Sequence, residues 1–339
     1  MSLARKLFAI LSTVTVLLAL NQVFEHGFGD FQINPYYGRI INLVGINVTL
    51  AVSLNLINGL AGQFSIGHAG FMAVGGYTAT YLTVYHGRQI AALFGASLTD
   101  PVGASVVMVP SLCAGAVAAA LAGLLVGIPS LRLKGDYLAI VTLGFSEIIR
   151  VIILNIPAVG GATGFTDAVP ITNFFWIFGM AIMTIVITRN IALSTFGRAL
   201  FAIRSDEIAA EAMGINTTRN KVMAFVISAA LAGIAGGLSG QLFANPLNPQ
   251  NLNFVKSIEV IVMIVLGGIG SITGAVLGAT VLTILPEALR TFDQQFPGLR
   301  MVIYALLLIL LMIFRPQGLL GRRELTLGWL RRPRKESTR

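Results

Sequence analysis

The chain has 339 residues, of which 55% are hydrophobic and only 11% are charged. Soluble domains carry about 25% charged residues, so this composition excludes a soluble globular protein and indicates a membrane protein. The single cysteine, Cys113, excludes a disulfide framework and argues against a thiolate metal site. The net charge of +9 is concentrated at the C-terminus, which favours a cytoplasmic membrane anchor over a nucleic-acid site. The basic residues there are Arg315, Arg322, Arg323, Arg331, Arg332, Arg334, Lys335 and Arg339.

Apolar runs recur along the chain, and a membrane-spanning helix needs about 20 such residues. We interpret the first run as an uncleaved helix, because no convincing signal-peptide cleavage site follows Leu20. The eighth run is short and predicts a broken helix or one half of a hairpin. The predicted fold is an all-α membrane protein, a polytopic bundle of about ten transmembrane or re-entrant helices within residues 1–320. The predicted spans are 7–24, 38–58, 64–85, 104–128, 137–156, 171–189, 222–243, 257–269, 272–290 and 299–314.

Basic clusters predict the orientation of these spans, because cytoplasmic loops carry an excess of Lys and Arg. Even numbers of spans separate four such clusters, so both termini are predicted to be cytoplasmic in a bacterial inner membrane. The clusters are Arg5 with Lys6, Arg132 with Lys134, the polar segment 190–221 and the tail 321–339. The opposite side would carry Arg39, Arg88, Arg290 and Arg300, so the bias is strong but not complete.

The stretch GLAGQFSIGHAGFMAVGGY, residues 59–77, places polar groups and six glycines just before and within the predicted span 64–85. Glycine costs about 1 kcal/mol relative to alanine inside a helix, and an unsatisfied polar group facing lipid costs several kcal/mol. Both costs are tolerable where the chain lines a water-filled cavity, so we predict a translocation path or its inner gate here. An alternative is that Gln63 and His68 hydrogen-bond a neighbouring helix. The predicted gate residues are Gln63, Ser65 and His68, with Gly62 and Gly67 allowing a bend.

Small residues recur at four-residue spacing in several spans, where each row forms a shallow groove along one helix face. Such rows allow close approach of helices in a membrane and predict a tightly packed bundle. The rows are Gly115, Ala119, Gly123 and Gly127; Ala232, Gly236 and Gly240; Ala229, Gly233 and Gly237; and Gly270, Gly274 and Gly278.

Acidic residues within the spans are few, and two of them have a basic residue three positions away. Glu147 precedes Arg150, and Glu259 follows Lys256. This spacing predicts self-paired ions on one helix face. The alternative is that either carboxylate couples transport to protons or sodium ions.

The segment 190–221 is polar yet helical in pattern. Ser194 is a predicted N-cap, and Gly214 is a predicted C-terminal stop. Its apolar stripe comprises Phe196, Leu200, Ile203, Ile208, Ala212 and Met213. The segment could lie on the membrane surface or dock into a partner. The acids Asp206, Glu207 and Glu211 would be repelled by anionic lipid, so the sequence favours a cytoplasmic partner.

Motifs for enzymatic chemistry are missing from the sequence. It contains no GxxxxGK[ST] loop, so we expect no ATP binding by this chain alone. It also has no His/Cys cluster with metal spacing and no paired aspartates for a magnesium diphosphate. We therefore predict no catalytic residue, no metal, no cofactor and no enzymatic activity.

Four blocks of the sequence, in the same order, resemble the permease family of branched-chain amino acid ABC importers, the LivM-type subunit. They are GLAGQFSIGHAGFMAVGGYTA, LKGDYLAIVTLGFSEIIRVIILN, FGRALFAIRSDEIAAEAMGIN and SIEVIVMIVLGGIGSITGAVLGA. The third is similar to the coupling loop of importer permeases, although Ile208 stands where that motif has Glu. The resemblance implies that this loop contacts an ATPase. The implied contact residues are Arg204, Asp206, Glu207, Ala209, Ala210, Glu211 and Gly214.

The resemblance also implies partners and a cargo. A sister permease would share the translocation pathway within membrane lipid, two cytoplasmic ATP-binding subunits would supply energy, and a periplasmic binding protein would deliver substrate. Leucine, isoleucine and valine are the implied cargo, with other amino acids, urea and small amides left open. A proton- or sodium-coupled secondary transporter is the alternative.

Overall fold

The computed structural model describes residues 3–26, 34–98, 100–131, 133, 135–166, 168–242, 247–290, 299–315, 317–321 and 324. These residues form α-helices, most of them joined by short turns, with 3-10 turns at Pro157–Val159, Gly161–Thr163 and Pro249–Asn251. The helices are α1 (Leu3–His26), α2 (Pro35–Asn55), α3 (His68–Leu93), α4 (Pro101–Ser130), α5 (Asp136–Leu154), α6 (Phe174–Leu193), α7 (Thr195–Ser205), α8 (Glu207–Ala212), α9 (Thr217–Gly240), α10 (Phe254–Gly267), α11 (Ile272–Ala288) and α12 (Leu299–Phe314). The tail 321–339 lies outside the described residues apart from Gly321 and Glu324, as do Arg132 and Lys134.

Several of these helices could cross a membrane. Within the described part of the chain, six are long and apolar enough to do so, and two further apolar helices are shorter. The prediction of an all-helical membrane protein is confirmed at this level, while the count of about ten spans stays a prediction. The six are Pro35–Leu60, Val102–Ser130, Tyr137–Leu154, Phe174–Leu193, Thr217–Gly240 and Pro249–Gly267.

Helices α3, α4 and α9 pack through the small-residue rows expected from the sequence. A β-carbon at Gly236 of α9 would overlap the carbonyl oxygen of Met72 in α3. A β-carbon at Gly233 would lie 2.5 Å from Cβ of Ala119 in α4, and one at Gly115 would lie 2.7 Å from the carbonyl oxygen of Gly75. Backbones therefore touch directly at these crossings, as helices do when lipid offers no hydrophobic drive for association.

Helix α2 is the centre of the bundle, because every residue from Gly45 to Asn55 is buried. It packs against α6, α9, α10 and α11. The short eighth span is half of a hairpin, in which α10 ends at Gly267 and α11 begins at Ile272. The close antiparallel packing is possible because Gly278 of α11 lies against the Met263 carbonyl group of α10.

A C-terminal segment binds the turn of this hairpin. The amide of Leu319 donates to the carbonyl oxygen of Leu266 at 2.7 Å, and that of Leu320 donates to Gly267 at 3.1 Å. The carboxylate of Glu324 accepts from the first two amides of α11, those of Ile272 and Thr273. An anion at a helix N-terminus satisfies free amides and complements the helix dipole, so this segment stabilises the start of α11.

We expect Gly236→Leu to prevent correct packing of α3 on α9, because the obstacle is a carbonyl group of the backbone and cannot rotate away. The free energy of unfolding should fall by about 3 kcal/mol or more, the upper range for overpacking. Thermal denaturation in detergent, followed by size-exclusion chromatography, measures the effect. The matched control is Gly179→Leu on α6, where nothing lies within 4 Å of an added β-carbon. Equal melting temperatures for the two variants would contradict this account.

Candidate functional site

The polar stretch predicted as the start of a span is a break between two helices. After Asn55, the chain forms one π-helical turn, Leu56–Leu60, and residues 62–67 are not helical before α3 begins at His68. The span predicted from residue 64 therefore begins later and extends to Leu93. Gly62 has a φ of +67°, which a side chain would strain, so its role in a bend is explained by its backbone.

Side chains of the π-helical turn and of neighbouring helices bind the backbone of this break. Asn58 accepts from the Ser65 amide at 3.1 Å and donates to the Ser65 carbonyl oxygen at 3.3 Å. The amide of Ile66 donates to the hydroxyl of Thr142 on α5, and the amide of Ala69 donates to the hydroxyl of Ser257 on α10. These bonds replace the helical bonds that the chain gives up, as buried backbone groups require.

His68 is buried at the start of α3, where its Nε2 lies 2.8 Å from the hydroxyl oxygen of Ser53 on α2. That hydroxyl also lies 2.8 Å from the Leu50 carbonyl oxygen. The carbonyl group can only accept, so the hydroxyl donates to it and accepts from Nε2–H. Ser228 of α9 donates to the Ser53 carbonyl oxygen at 2.6 Å. His68 therefore contributes to a contact among three helices.

Gln63 is the partly exposed polar side chain of the predicted gate residues, and its amide group donates to the Ala61 carbonyl oxygen at 3.3 Å. Ser65 is buried. Gly67 has an ordinary φ of −87°, and a β-carbon there would lie 2.5 Å from the Thr142 carbonyl oxygen. Gly67 therefore serves close packing on α5, whereas Gly62 serves the bend.

Asn55, which the sequence did not single out, joins this break to the α10–α11 turn. Its side-chain oxygen accepts from the Gly270 amide at 2.8 Å, and its side-chain nitrogen donates to the Ser271 carbonyl oxygen at 3.2 Å. A β-carbon at Gly59 would overlap the Asn55 amide group. The π-helical turn and the hairpin turn are therefore held against each other.

Arg204 connects α7 to the same place. Its guanidinium group donates to the Gly59 carbonyl oxygen, and its side chain lies against Gly62 and Gly270. A β-carbon at Gly62 would approach Arg204 Cγ to 2.6 Å. The side chain predicted to touch an ATPase thus points from α7 into the bundle.

The predicted amphipathic helix is two helices, because Asp206 adopts an extended conformation and caps α8. Its carboxylate accepts from the amides of Ile208 and Ala209 at 2.9 and 3.0 Å. The Ser194 cap of α7 is confirmed, as is the end of α8 before Gly214, whose φ is +83°. The apolar stripe is divided accordingly, with its α7 residues Leu200 and Ile203 buried.

Helix α8 and the residue after it expose large apolar side chains, with Ile208 75% exposed and Met213 83% exposed. Its acids are held by α9 instead. Glu207 pairs with the buried Lys221 at 2.7 Å, and Glu211 accepts from the Thr217 hydroxyl at 2.7 Å. We call Ile208, Ala209, Ala212 and Met213 the α8 tip; all four are exposed.

The predicted site residues thus fall into two connected groups, the break at 62–68 and the α7–α8 segment, which Arg204 joins. Sequence inspection missed Asn55, Asn58, Ser257 and Glu324. For Asn55 and Asn58 the available signal was an amide side chain within an apolar helical run, since buried amides need partners. Among the described residues, no group of three or more His, Cys, Asp or Glu side chains could hold a metal ion.

Comparisons with known proteins agree with the resemblance. Residues 36–312 match a family model described as the branched-chain amino acid transport system permease component. LivM of Salmonella typhimurium, a high-affinity branched-chain amino acid transport permease, is 34% identical over 318 residues, covering 83% of this chain and 69% of its own. LivM of Escherichia coli K12 gives the same values.

A shorter match is LivH of Escherichia coli K12, 40% identical over 149 residues, covering 44% of this chain and 47% of its own. Among solved structures, a putative metal-chelate type ABC transporter in an inward-facing conformation aligns over 90% of this chain and 99% of its own. Its TM-score of 0.45 and identity of 17% are too low to carry a structural argument. The family match over most of the sequence shows that the chain belongs to the branched-chain amino acid transport permeases, a family of transport proteins and not of enzymes.

Proposed function

We propose that this chain is the transmembrane permease subunit of an ABC importer for leucine, isoleucine and valine. The observation that carries the proposal is 34% identity to LivM over 83% of the chain. The chain would form the translocation pathway together with a sister permease. Two ATP-binding subunits would drive it, and a periplasmic binding protein would deliver the amino acid.

The proposed topology has about ten spans in a bacterial inner membrane, with both termini in the cytoplasm. Support comes from the basic clusters, which fall on one side when even numbers of spans separate them. In this orientation α7, α8 and the α10–α11 turn are cytoplasmic, and the N-terminus of α10 lies toward the outside.

The ATPase would drive the permease through direct contact with the α8 tip. An exposed apolar surface in a segment that also carries charges is typical of a docking surface. Asp206, Glu207, Ala210, Glu211 and Gly214 would shape and hold α8 against the bundle, while Ala209 and its apolar neighbours touch the ATPase. The residues proposed to touch the ATPase therefore differ from those of the sequence prediction, in which the acids themselves contacted the partner.

The inner gate would be the break at residues 62–68, with Gln63 facing the path and Ser65 and His68 holding the segment from behind. A non-helical backbone is tolerated at membrane depth when it is buried in protein or lines a cavity. Arg204 would transmit a rigid-body movement of α7 to this break. Such a movement can bias a two-state equilibrium between closed and open gates.

The test of the proposed function is uptake by proteoliposomes that contain this chain with its sister permease, ATPases and binding protein. We expect leucine uptake that requires ATP and persists when proton and sodium gradients are collapsed. Uptake that continues without ATP, and ceases when the gradients are lost, would establish the secondary transporter instead.

The role of the α8 tip predicts that Met213→Glu abolishes coupling. Docking would bury an unpaired carboxylate, which costs several kcal/mol, so uptake should fall at least about tenfold at an unchanged membrane level. Met213→Leu keeps the surface apolar and should retain uptake. Copurification of the ATPase with each variant reports docking directly, and normal copurification of the Glu variant would refute the assignment.

Arg204 as a transmitter predicts uncoupling and not loss of assembly. Arg204→Ala removes the charged hydrogen bond to the Gly59 carbonyl oxygen, so ATP hydrolysis should continue while leucine moved per ATP falls about tenfold. Arg198→Ala, an exposed arginine of the same helix, is the matched control. An unchanged transport-to-hydrolysis ratio for Arg204→Ala would rule out the transmitter role.

A further inference from the structure

Two ion pairs lie on α5 and α10, away from the gate. Glu147 and Arg150 pair at 2.7 Å, and Lys256 and Glu259 pair at 3.0 Å, as the sequence spacing predicted. The second oxygen of Glu147 accepts from the amide of Phe254, the first residue of α10, at 3.1 Å. The α5 pair is therefore bonded to the start of α10, whereas Lys256 also donates to the side-chain oxygen of Asn47 on α2 at 3.2 Å.

The α5 pair lies within the membrane span. Helix α5 has 19 residues and measures about 28 Å, close to the thickness of the hydrocarbon core. Glu147 is seven residues from the last residue of α5, Leu154, which places it about 10 Å inside that end. Arg150 lies one turn nearer the end.

Neither the Glu147 side chain nor the Arg150 side chain is buried within this chain. The side chains of Glu147 and Arg150 are 30% and 26% exposed, and those of Lys256 and Glu259 are also partly exposed. Charged residues inside a membrane face a protein interior or a water-filled cavity, since lipid cannot solvate them. The α5 surface around Glu147 therefore faces water or another subunit.

A stripe of exposed residues runs along α5 from Glu147 toward the middle of the helix. Ile140 is exposed, and Gly144, between them at helical spacing, is exposed with nothing within 4 Å of an added β-carbon. The backbone at Gly144 is thus open one turn below the carboxylate. An opposite pair of charges beside an open apolar stripe matches a zwitterion with an aliphatic side chain.

We propose that the α5 surface formed by Gly144, Glu147 and Arg150 is a binding site for the zwitterionic amino acid on its way through the membrane. The ammonium group binds Glu147, the carboxylate binds Arg150, and the aliphatic side chain lies along the stripe at Gly144. This site rests on the proposed function, since it requires an amino acid as cargo.

The hydrogen bonds at Glu147 are compatible with replacement of the ion pair by the bound amino acid. The Phe254 amide keeps the Glu147 carboxylate in place when the ion pair opens. The bound zwitterion replaces each charge of the pair with an equal one, so neither protein charge is left unpaired. An unpaired charge in this setting is the costly state, and the amino acid avoids it at entry and at release.

Cysteine labelling in the assembled transporter tests the site. Gly144→Cys is made in a Cys113→Ser background and treated with a charged methanethiosulfonate that cannot cross membranes. We expect rapid labelling that millimolar L-leucine slows. Ile140→Cys, one turn further along the stripe, serves as a second variant. Leu125→Cys, on the exposed surface of the uncharged helix α4, is the lipid-facing control and should react only with a membrane-permeant maleimide.

Labelling of Gly144→Cys and Ile140→Cys by the maleimide alone, or by neither reagent, would overturn the site. Labelling without leucine protection, in a transporter that pumps leucine, would also overturn it and leave the proposed function standing. Absence of ATP-driven leucine uptake by the unmodified complex would instead refute the proposed function, whatever the labelling.

A second substitution tests whether Glu147 itself binds the amino acid. In the Gly144→Cys background, Glu147→Gln should raise the half-protecting leucine concentration about tenfold, because the ammonium group loses a charged partner. Glu287→Gln, a carboxylate on α11 bound to the Tyr36 hydroxyl group, is the matched control and should leave protection unchanged. Equal protection in the two variants would contradict the role of Glu147.

Discussion

Backbone groups that leave a helix inside a membrane bundle need new hydrogen-bond partners, and this requirement organises the centre of the structure. Between α2 and α3, the chain gives up helical bonding over residues 62–67. Asn58, Thr142 and Ser257 replace the missing partners, each from a different part of the bundle. The same bonds join α2, α3, α5 and α10 at one place. A change at this place therefore reaches several spans without any long-range mechanism.

The proposed mechanism uses that shared junction. Arg204 contacts it from α7, and Asn55 connects it to the α10–α11 turn. The proposed zwitterion site lies on α5 and at the other end of α10, so one helix connects the hairpin turn with the binding surface. Coupling of this kind needs a contiguous set of contacts with two arrangements, and the glycines at 59, 62 and 270 allow the close approach on which it depends.

Patterns with a local physical cause were predictable from the sequence. The membrane class, the small-residue rows, the Ser194 cap and the two ion pairs each follow from spacing or composition. A bend at Gly62 and Gly67 was predicted, but the full non-helical stretch 62–67 was not, because Gln63, Ser65 and His68 were judged by their own polarity and not by the backbone between them. The partners of that backbone come from residues far along the chain, such as Thr142 and Ser257, and no local pattern brings these together.

The C-terminal segment adds a practical consequence. Leu319, Leu320 and Glu324 occupy the carbonyl and amide groups at the turn between α10 and α11. A truncation before Leu319 would expose those groups to solvent. A tag fused close to Glu324 would disturb the turn that Asn55 binds from the other side. Expression designs for this permease should therefore keep the chain through Glu324 and place any fusion beyond a spacer.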